Sequence, residues 1–235
     1  MKLKIMTFNI QHCLNYIERY IDFPLFSKTA AESGADIIGL NEVRGKGASA
    51  DYEDQTRILA DGAGYKYHYF AKAIDFDGCN PYGNAVLSKY PLISAETVTI
   101  PDPEPRKYTG YYETRCVAKV TVDIGGPFTV LAVHFGLNRD EHENARDTIL
   151  SLLPEKRCVL MGDFNVQPSS DILDPLRERM KDTAEGRGDM FSFPSDKPDR
   201  KIDYIFVSPD VKVLSAEIPP LTVSDHRPHT AYIEI

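Results

Sequence analysis

Residues 114–135, which read TRCVAKVTVDIGGPFTVLAVHF, decide the fold class of this chain. Two runs rich in β-branched and apolar residues, 114–122 and 128–135, flank the string DIGGP, which is typical of a turn. The preceding segments 84–87 and 95–100 have the same strand-like composition. Because strands that follow one another without an intervening helix pair antiparallel, the middle of the chain predicts antiparallel sheet structure.

Outside this central region, segments with strand character alternate with segments that have helical spacing. The N-terminal part predicts strands at 2–10, 36–43 and 65–73, and helices at 15–33 and 52–63. The C-terminal part predicts helices at 140–153 and 171–180, and strands at 158–161, 202–207, 211–216 and 230–235. No linker rich in Gly, Ser or Pro divides the chain, so we predict an α/β fold in one domain, residues 1–235, with two packed sheets and helices outside. The loops 101–106 and 181–198 are long enough to be functional segments.

The composition is that of an acidic globular chain. The 235 residues include 27 Lys and Arg against 35 Asp and Glu, a formal net charge of -8, and 42% of the residues are hydrophobic. These values disfavour disorder, and no apolar run approaches the ~18 residues that cross a membrane. Affinity for long nucleic acids depends on Lys and Arg that displace counterions from phosphates, so the charge disfavours a nucleic-acid partner. Nothing in the composition indicates an oligomeric state.

The N-terminal sequence and the cysteines indicate the cellular compartment in which the protein is expected. The opening residues, MKLKIMTFNI, contain no long apolar core followed by a small-residue cleavage site, so we expect a cytoplasmic protein. A removed leader would change the location and leave the chemistry unaltered. The spacing of the cysteines matches neither a zinc motif nor a dense disulfide framework, so we expect free, buried thiols. They are Cys13, Cys79, Cys116 and Cys158.

Polar side chains gather at the ends of the predicted strands, where a rigid scaffold can present them to a substrate. Each residue alone fits a turn or a cap, because Asn, Asp and Gly are common there for backbone reasons. Together they form a set of one chemical kind, which turns alone do not explain. The set comprises Asn9, Asn41, Glu42, His134, Asp163, Asn165, Asp203, Asp225 and His226.

Seven strings, in chain order, resemble motifs of the endonuclease/exonuclease/phosphatase family: MTFNI, IIGLNEV, YGNAVLSKYPL, LAVHFG, LMGDFN, KIDYIFV and SDHRP. The resemblance covers nearly the whole chain, and GDFN combined with a later SDH is its most specific feature. The family includes deoxyribonucleases, abasic-site endonucleases, neutral sphingomyelinases, inositol polyphosphate phosphatases and deadenylases. The resemblance implies a four-layer α/β sandwich, with two mixed sheets packed face to face between outer helices. It also implies hydrolysis of a phosphoester by in-line attack of water, assisted by a divalent cation.

The resemblance implies which residues hold the cation. Glu42 is the implied principal ligand, with Asn9 beside it and Asp225 near the same ion. Mg²⁺ keeps several waters and is usually bound through one or two carboxylates, which this set can provide. The expected cofactor is therefore Mg²⁺ or Mn²⁺.

Two candidates compete for the proton acceptor that activates water. By resemblance, Asp163 and Asn165 position or deprotonate the water and bind the phosphate, whereas His226, oriented by Asp203, acts as a base or as a charged phosphate ligand. A histidine can serve in either way, because its pKa depends on the carboxylate that pairs with it. We favour His226 paired with Asp203 as the acid/base unit, and the choice between Asp163 and His226 as base stays open.

His134 indicates which branches of the family the sequence resembles most. LAVHFG has histidine where abasic-site endonucleases tend to have tyrosine, so it favours the deoxyribonuclease, sphingomyelinase and deadenylase branches. By resemblance, the His134 imidazole binds a phosphoryl oxygen or assists the leaving group, and Asn84 and Arg115 match substrate-binding positions. We expect His142 on a solvated helix face. The other histidines without a matching role are His12, His68 and His229.

The expected function is therefore a phosphoesterase, with a phosphodiester of small-molecule or lipid-headgroup type favoured over nucleic acid. The alternatives are an endo- or exonuclease of the same fold and a binding module that has lost catalysis. Missing motifs exclude two other hydrolase classes. The chain has no GNH string of calcineurin-type phosphatases and no H-E-x-x-H of zinc peptidases.

Overall fold

Twelve strands and four α-helices make up the fold in a computed structural model that describes residues 1–235. The strands are, in chain order, β1 (Lys2–Asn9), β2 (Ile37–Arg44), β3 (Tyr67–Phe76), β4 (Asn80–Ser88), β5 (Leu92–Thr99), β6 (Cys116–Asp123), β7 (Pro127–His134), β8 (Cys158–Asp163), β9 (Lys181–Asp182), β10 (Asp203–Val207), β11 (Lys212–Glu217) and β12 (His229–Glu234). The helices are α1 (Phe23–Glu32), α2 (Gln55–Ala63), α3 (Arg139–Leu152) and α4 (Asp174–Arg177), with short 3₁₀ turns at Gln11–Cys13 and Asp171–Leu173.

The strands form two six-stranded mixed sheets. The first sheet has the order β11-β12-β1-β2-β4-β3, and the second has the order β5-β6-β7-β8-β10-β9. β1 and β2 are parallel in the first sheet, β7 and β8 are parallel in the second, and all other neighbours are antiparallel. The antiparallel pairing predicted for the middle of the chain is confirmed for β5, β6 and β7. Residues 84–87 belong to β4, which pairs in the other sheet.

The two sheets pack face to face and are covered by helices on their outer faces. Ile5 and Val130 are among the side chains that fill the core between the sheets. Phe26 of α1 packs on the outer face of the first sheet, and Ile149 of α3 packs on that of the second. These four layers confirm the expected α/β sandwich. None of the four helices is long and apolar enough to span a membrane.

The two parallel pairs place chemistry-bearing residues at one end of the sandwich. β1 and β2 align Asn9 with Asn41, and β7 and β8 align His134 with Asp163. Asp203, at the start of the antiparallel β10, lies opposite Asp163. Because the carboxyl ends of parallel strands meet at the same edge of a sheet, the strand-end residues of both sheets converge.

The helix predicted at 15–33 is wrong for its first half. α1 begins only at Phe23, because the Asp22 carboxylate accepts a backbone N–H of the first turn and Pro24 stands within that turn. The preceding residues fold around the carboxamide of Asn15, whose oxygen accepts two backbone N–H groups of the loop. The apolar residues in this loop mimic helical spacing without forming a helix.

Two side chains differ in burial from the expectation. All four cysteines are free, but Cys79 is exposed in the turn between β3 and β4 while the other three are buried. His142 is buried, because the first turn of α3 faces the chain at Gly136, whose carbonyl oxygen lies 2.9 Å from His142 Nε2. The helix face that carries His142 is therefore a packing face and not a solvated one.

Candidate active site

Asn9 connects an acidic side chain of the first sheet to one of the second. Its amide nitrogen donates to Glu42 Oε1 at 3.0 Å and to Asp163 Oδ2 at 3.1 Å. Its carbonyl oxygen accepts the Gln11 N–H at 3.1 Å, which sets the orientation of the carboxamide. Two carboxylates that are distant in the sequence therefore share one donor at the end of the sandwich.

Glu42 reaches this position because the end of β2 is irregular. The register between β2 and β4 shifts between Leu40 and Val43, and Glu42 has a φ of 59°. A bulge of this kind re-aims the side chain of the extra residue. A non-glycine residue in the left-handed region costs conformational energy, which the surrounding contacts must offset.

Asn41 holds the two sheets together beside the site. Its amide nitrogen donates to Asn84 Oδ1 at 2.8 Å and to the Val133 carbonyl at 2.9 Å, and its Oδ1 accepts the Asp163 N–H at 3.0 Å. Asn84 is buried and donates its own amide nitrogen to the Cys116 carbonyl at 2.9 Å. Both carboxamides are thus engaged within the protein, and Asn84 supports the site through Asn41.

Asp163, His226 and Asp203 form a buried acid–imidazole–acid row. His226 Nδ1 lies 2.8 Å from Asp203 Oδ2, and His226 Nε2 lies 3.5 Å from Asp163 Oδ2. Burial lowers the pKa of His226, but the two carboxylates outweigh burial and raise this pKa above its usual value. Burial raises the pKa of Asp163, and His226 opposes this shift. The two acids therefore favour the protonated form of the His226 imidazole.

His134 approaches Asp163 from the end of β7. Arg115 Nη1 lies 3.0 Å from His134 Nδ1, and the guanidinium can only donate to this nitrogen. His134 Nε2 lies 3.5 Å from Asp163 Oδ2. Burial lowers the pKa of His134 well below its usual value, and the cationic Arg115 and His226 lower it further. Arg115 is in turn paired with Glu113 at 2.6 Å.

Two backbone features bring Asp163 and His134 together. Gly162 has a φ of 150°, and a Cβ there would lie 1.8 Å from the Val133 carbonyl oxygen, so only glycine permits the close approach of β7 and β8. Asn165, with a φ of 51°, donates its N–H to Asp163 Oδ1 at 2.9 Å, and its side-chain nitrogen lies 3.2 Å from His134 Nε2. This turn after β8 orients the carboxylate towards the imidazole.

Asp225 contacts the other predicted site residues least. Its Oδ1 accepts the hydroxyl of the preceding serine at 3.0 Å, and no hydrogen bond joins it to Glu42. The compact group of possible metal ligands lies elsewhere: the donor atoms of Asp163, Asp203 and His226 all lie within 4.8 Å of one another, so this group could hold a metal ion. In the structure these three groups are already joined by the contacts of the acid–imidazole–acid row.

Three residues that hold the site together escaped the sequence reasoning. Glu113 pairs with the predicted arginine, Ser192 donates its hydroxyl to Asp203 Oδ2 at 2.5 Å, and Phe193 packs on His226 with ring centroids 4.7 Å apart. Ser192 and Phe193 lie in the second long loop, whose length was the only signal that it has a function. Glu113 lies two residues before the predicted site residue Arg115, and this proximity was the only indication in the sequence that Glu113 belongs to the site.

Comparison with known families assigns the chain to one of them. A model described as the Endonuclease/Exonuclease/phosphatase family matches residues 6–226, which include every predicted site residue. The chain belongs to the endonuclease/exonuclease/phosphatase family. Members of this family are generally hydrolases that act on phosphoesters, and the resemblance read from the sequence motifs is confirmed. The comparison with curated proteins found no significant match.

Solved structures of the endonuclease/exonuclease/phosphatase family share the fold over the whole chain. A family member from Beutenbergia cavernae superposes with a TM-score of 0.81 at 22% identity, covering 100% of this chain and 72% of that chain. One from Bacteroides vulgatus has a TM-score of 0.80 at 22% identity and covers 100% and 99%. A mannosyl-6-phosphatase from Bacteroides thetaiotaomicron has a TM-score of 0.77 at 16% identity and covers 99% and 100%. This likeness shows the shared fold.

Proposed function

We propose that this protein is a divalent-metal-dependent phosphodiesterase that cleaves a small or lipid-headgroup diester by in-line attack of an activated water. The observation that carries the proposal is the position of Asp163. Its Oδ2 lies 3.1 Å from Asn9 Nδ2 and 3.5 Å from the Nε2 atoms of both His134 and His226. One acid thus stands next to nitrogen atoms from three separate parts of the chain, an arrangement that can both accept a proton and stabilise charge on a phosphoryl group.

The charges of the site fit a divalent cation. Five carboxylates stand in or beside the network, and only two cationic side chains, Arg115 and His226, oppose them. The carboxylates are those of Glu42, Glu113, Asp163, Asp203 and Asp225. Carboxylate oxygens are ligands that Mg²⁺ and Mn²⁺ prefer, so Glu42 and Asp225 would hold the ion. Asn9, whose oxygen accepts the Gln11 N–H, would fix Glu42 through its amide nitrogen. When bound, such an ion stabilises negative charge on the phosphoryl oxygens.

Asp163 is the proposed general base for the attacking water. Burial raises the pKa of its carboxyl above the usual value, which makes it a better proton acceptor near neutral pH. The Asn165 N–H on Oδ1 and the Asn9 amide on Oδ2 fix both oxygens of the carboxylate. The water's proton would pass to this group as the oxygen attacks phosphorus.

His226 is the proposed cationic donor and not the base that we favoured from the sequence. With Asp203 on Nδ1 and Asp163 near Nε2, the two carboxylates favour the protonated imidazole, which makes it a poorer acceptor for a proton from water. A protonated Nε2 can instead donate to a phosphoryl oxygen or to the leaving oxygen. Asp203 holds the ring in place for this donation.

His134 and Arg115 form a second donor pair on the other side of Asp163. The His134 ring has Arg115 at Nδ1, and its Nε2 lies towards Asp163 and the Asn165 side-chain nitrogen. Its role is to bind a non-bridging phosphoryl oxygen. Arg115 orients the ring and adds positive charge, part of which Glu113 neutralises.

The charge around the site supports a small diester over a long nucleic acid. Several basic side chains of the surrounding segments are paired with acids, whereas Arg106 and Lys197 are exposed and form no ion pair. The pairs are Arg44–Asp51 at 2.7 Å, Lys46–Glu53 at 2.9 Å, Arg200–Asp199 at 3.4 Å and Lys107–Glu143 at 3.8 Å. A diester carries one negative charge at the phosphate and a monoester carries up to two, so an acid-rich site favours the diester.

A substrate panel with and without chelator tests this function. The panel contains bis(p-nitrophenyl) phosphate, p-nitrophenyl phosphate, glycerophosphocholine and a single-stranded oligonucleotide, each with Mg²⁺ or with EDTA. We expect Mg²⁺-dependent hydrolysis of the small diesters at rates above those of the monoester and the oligonucleotide. Preferred cleavage of the oligonucleotide would establish the nuclease alternative. Lack of metal-dependent turnover on every substrate would establish the binding module.

A further inference from the structure

The carboxylate of Asp203 is held by two donors on the same oxygen. His226 Nδ1 lies 2.8 Å from Asp203 Oδ2, and the Ser192 hydroxyl lies 2.5 Å from the same atom. The other oxygen, Oδ1, is buried and has no hydrogen-bond partner. Asp203 and Ser192 are both fully buried, so bulk solvent does not reach this carboxylate. Within the protein, His226 and Ser192 are the two groups that orient it.

The segment that contains Ser192 is hydrogen-bonded to the segment that contains His226. The Arg227 N–H donates to the Ser192 carbonyl at 2.7 Å, and the Ser195 N–H donates to the Asp225 carbonyl at 2.7 Å. These two backbone hydrogen bonds bracket His226. Phe193 packs on the imidazole from the same segment, with ring centroids 4.7 Å apart.

We propose that Ser192 is a positioning residue that acts on His226 through Asp203. A carboxylate on an unhindered Cβ–Cγ bond can rotate and offer either oxygen to an imidazole. Because Oδ1 has no partner, the Ser192 hydroxyl is the group that selects Oδ2 and holds the plane of the carboxylate. When the plane of the carboxylate is fixed, Asp203 Oδ2 is the acceptor for the Nδ1–H of His226, and this hydrogen bond fixes the orientation of the ring. This inference rests on the proposed role of His226 as donor to the phosphate.

The hydroxyl of Ser192 is suited to this task for a chemical reason. An ionised carboxylate only accepts hydrogen bonds, so the Ser192 O–H must donate to it. A donor to a charged acceptor makes a shorter and stronger hydrogen bond than a neutral pair, which the 2.5 Å separation reflects. Residues that orient a functional side chain typically contribute about 10- to 100-fold to activity.

The test compares Ser192→Ala, Ser192→Thr and a matched control, Ser208→Ala. Ser208 is also buried and also donates its hydroxyl to an aspartate, Asp210 at 2.7 Å, but it lies beyond the opposite end of β10. We expect Ser192→Ala to lower kcat about 10-fold with KM unchanged, and Ser192→Thr, which keeps the hydroxyl, to restore most of the loss. Ser208→Ala should lose stability and keep its kcat.

A second readout needs no substrate and so separates this inference from the proposed function. The Nδ1 proton of His226, bonded to a buried carboxylate, should give a downfield proton NMR signal that a His226→Gln variant lacks. We expect Ser192→Ala to broaden or lose this signal, and Ser192→Thr and Ser208→Ala to keep it. If the wild-type protein cleaves no phosphoester, the proposed function fails while the signal still decides the role of Ser192.

Two results would overturn the proposal: an unchanged His226 signal in Ser192→Ala, or equal losses of kcat in Ser192→Ala and Ser208→Ala. If Ser192→Ala does not fold, Ser192→Cys replaces it, because cysteine has a similar shape and a weaker donor. Its kcat and its signal should then lie below those of Ser192→Thr. Equal values for the two variants would also overturn the proposal.

Discussion

Glu42 combines a strained backbone conformation with a side chain in the candidate active site. It lies in the bulge at the end of β2 with a φ of 59°, and it receives its hydrogen bond from the amide that also serves Asp163. An ordinary strand residue would gain nothing from this conformation. The strain is consistent with the role of metal ligand proposed for Glu42.

Glu42→Gln should therefore remove most of the activity and weaken its dependence on Mg²⁺. The amide keeps the size of the side chain but lacks the negative charge that binds the ion, and we expect kcat/KM to fall ~10²-fold or more. Steady-state hydrolysis of a diester at several Mg²⁺ concentrations measures the effect. Glu53→Gln, which alters an exposed acid paired with Lys46, is the control. Near-normal turnover of Glu42→Gln would contradict the assignment.

His226→Ala should lower kcat by ~10² or more, because the variant loses the donor that faces the phosphate. The KM should change little, since the other donors around Asp163 remain. His68→Gln, on the exposed part of β3, serves as the control. A loss confined to KM would mean that His226 binds the substrate without taking part in the chemical step.

The residues that sequence could predict are those with a local signature. Asn9 and Asp163 are the last residues of β1 and β8, and Glu42 lies near the end of β2, so their positions at strand ends were predictable from the strand pattern. Ser192 has no such signature, because its importance comes from contacts with residues 11 and 35 positions later in the chain. Burial of both partners, which only the folded structure reveals, makes the contact with Asp203 significant.

At the scale of elements, the first turn of α3 anchors the loop that carries Arg115. Glu141 Oε2 accepts the N–H groups of Leu137 and Asn138, and its Oε1 accepts the Glu113 N–H. One buried carboxylate thus ties the end of β7 to the loop before β6. The position of Arg115 beside His134 depends on this tie.

Glu141→Gln should loosen this loop. Both oxygens of the Glu141 carboxylate accept backbone N–H groups, and the NH₂ group of glutamine cannot replace one of these acceptors. We expect a loss of roughly 1–3 kcal/mol in the free energy of unfolding and a higher KM, with a smaller effect on kcat. Urea denaturation and steady-state kinetics measure the two effects. Asp147→Asn, an exposed position on the same helix paired with Arg146, is the control. An unchanged KM would show that the loop is held by other contacts.

Elements also show why part of the fold was not predictable. Residues 15–22 have helical spacing, yet the side chains of Asn15 and Asp22 satisfy backbone N–H groups locally and stop the helix from extending. The assignment of β4 and β5 to different sheets could not be predicted from the sequence for another reason. Their sequences are both strand-like, and only the packing of the two sheets decides which neighbours each strand takes.

At the scale of the whole molecule, buried neutral histidines make stability depend on pH. His229 is fully buried at the start of β12, and burial lowers its pKa from 6.5 to about 4. Below pH 6.5 the unfolded chain takes up a proton that the folded protein does not, so stability falls as the pH drops towards 4. The contribution of this one group over the whole interval is roughly 3 kcal/mol.

His229→Gln should accordingly reduce the slope of stability against pH between 6.5 and 4. The free energy of unfolding, measured by urea denaturation at pH 7, 6 and 5, gives the slope for each protein. The variant will be less stable than the wild type at pH 7, and the difference should shrink as the pH falls. An equal slope in both proteins would show that His229 takes up its proton in the folded state as readily as in the unfolded chain.

The proposed function depends on one divalent cation held by Glu42 and Asp225 next to Asp163, the proposed base, with Asn9 fixing Glu42 and Asp163. The most direct test is the rate of bis(p-nitrophenyl) phosphate hydrolysis by metal-stripped protein as Mg²⁺ is added back. The account predicts negligible hydrolysis without the ion and a saturable increase as the ion binds. Hydrolysis at full rate in the presence of EDTA, or none at any Mg²⁺ or Mn²⁺ concentration, would contradict it.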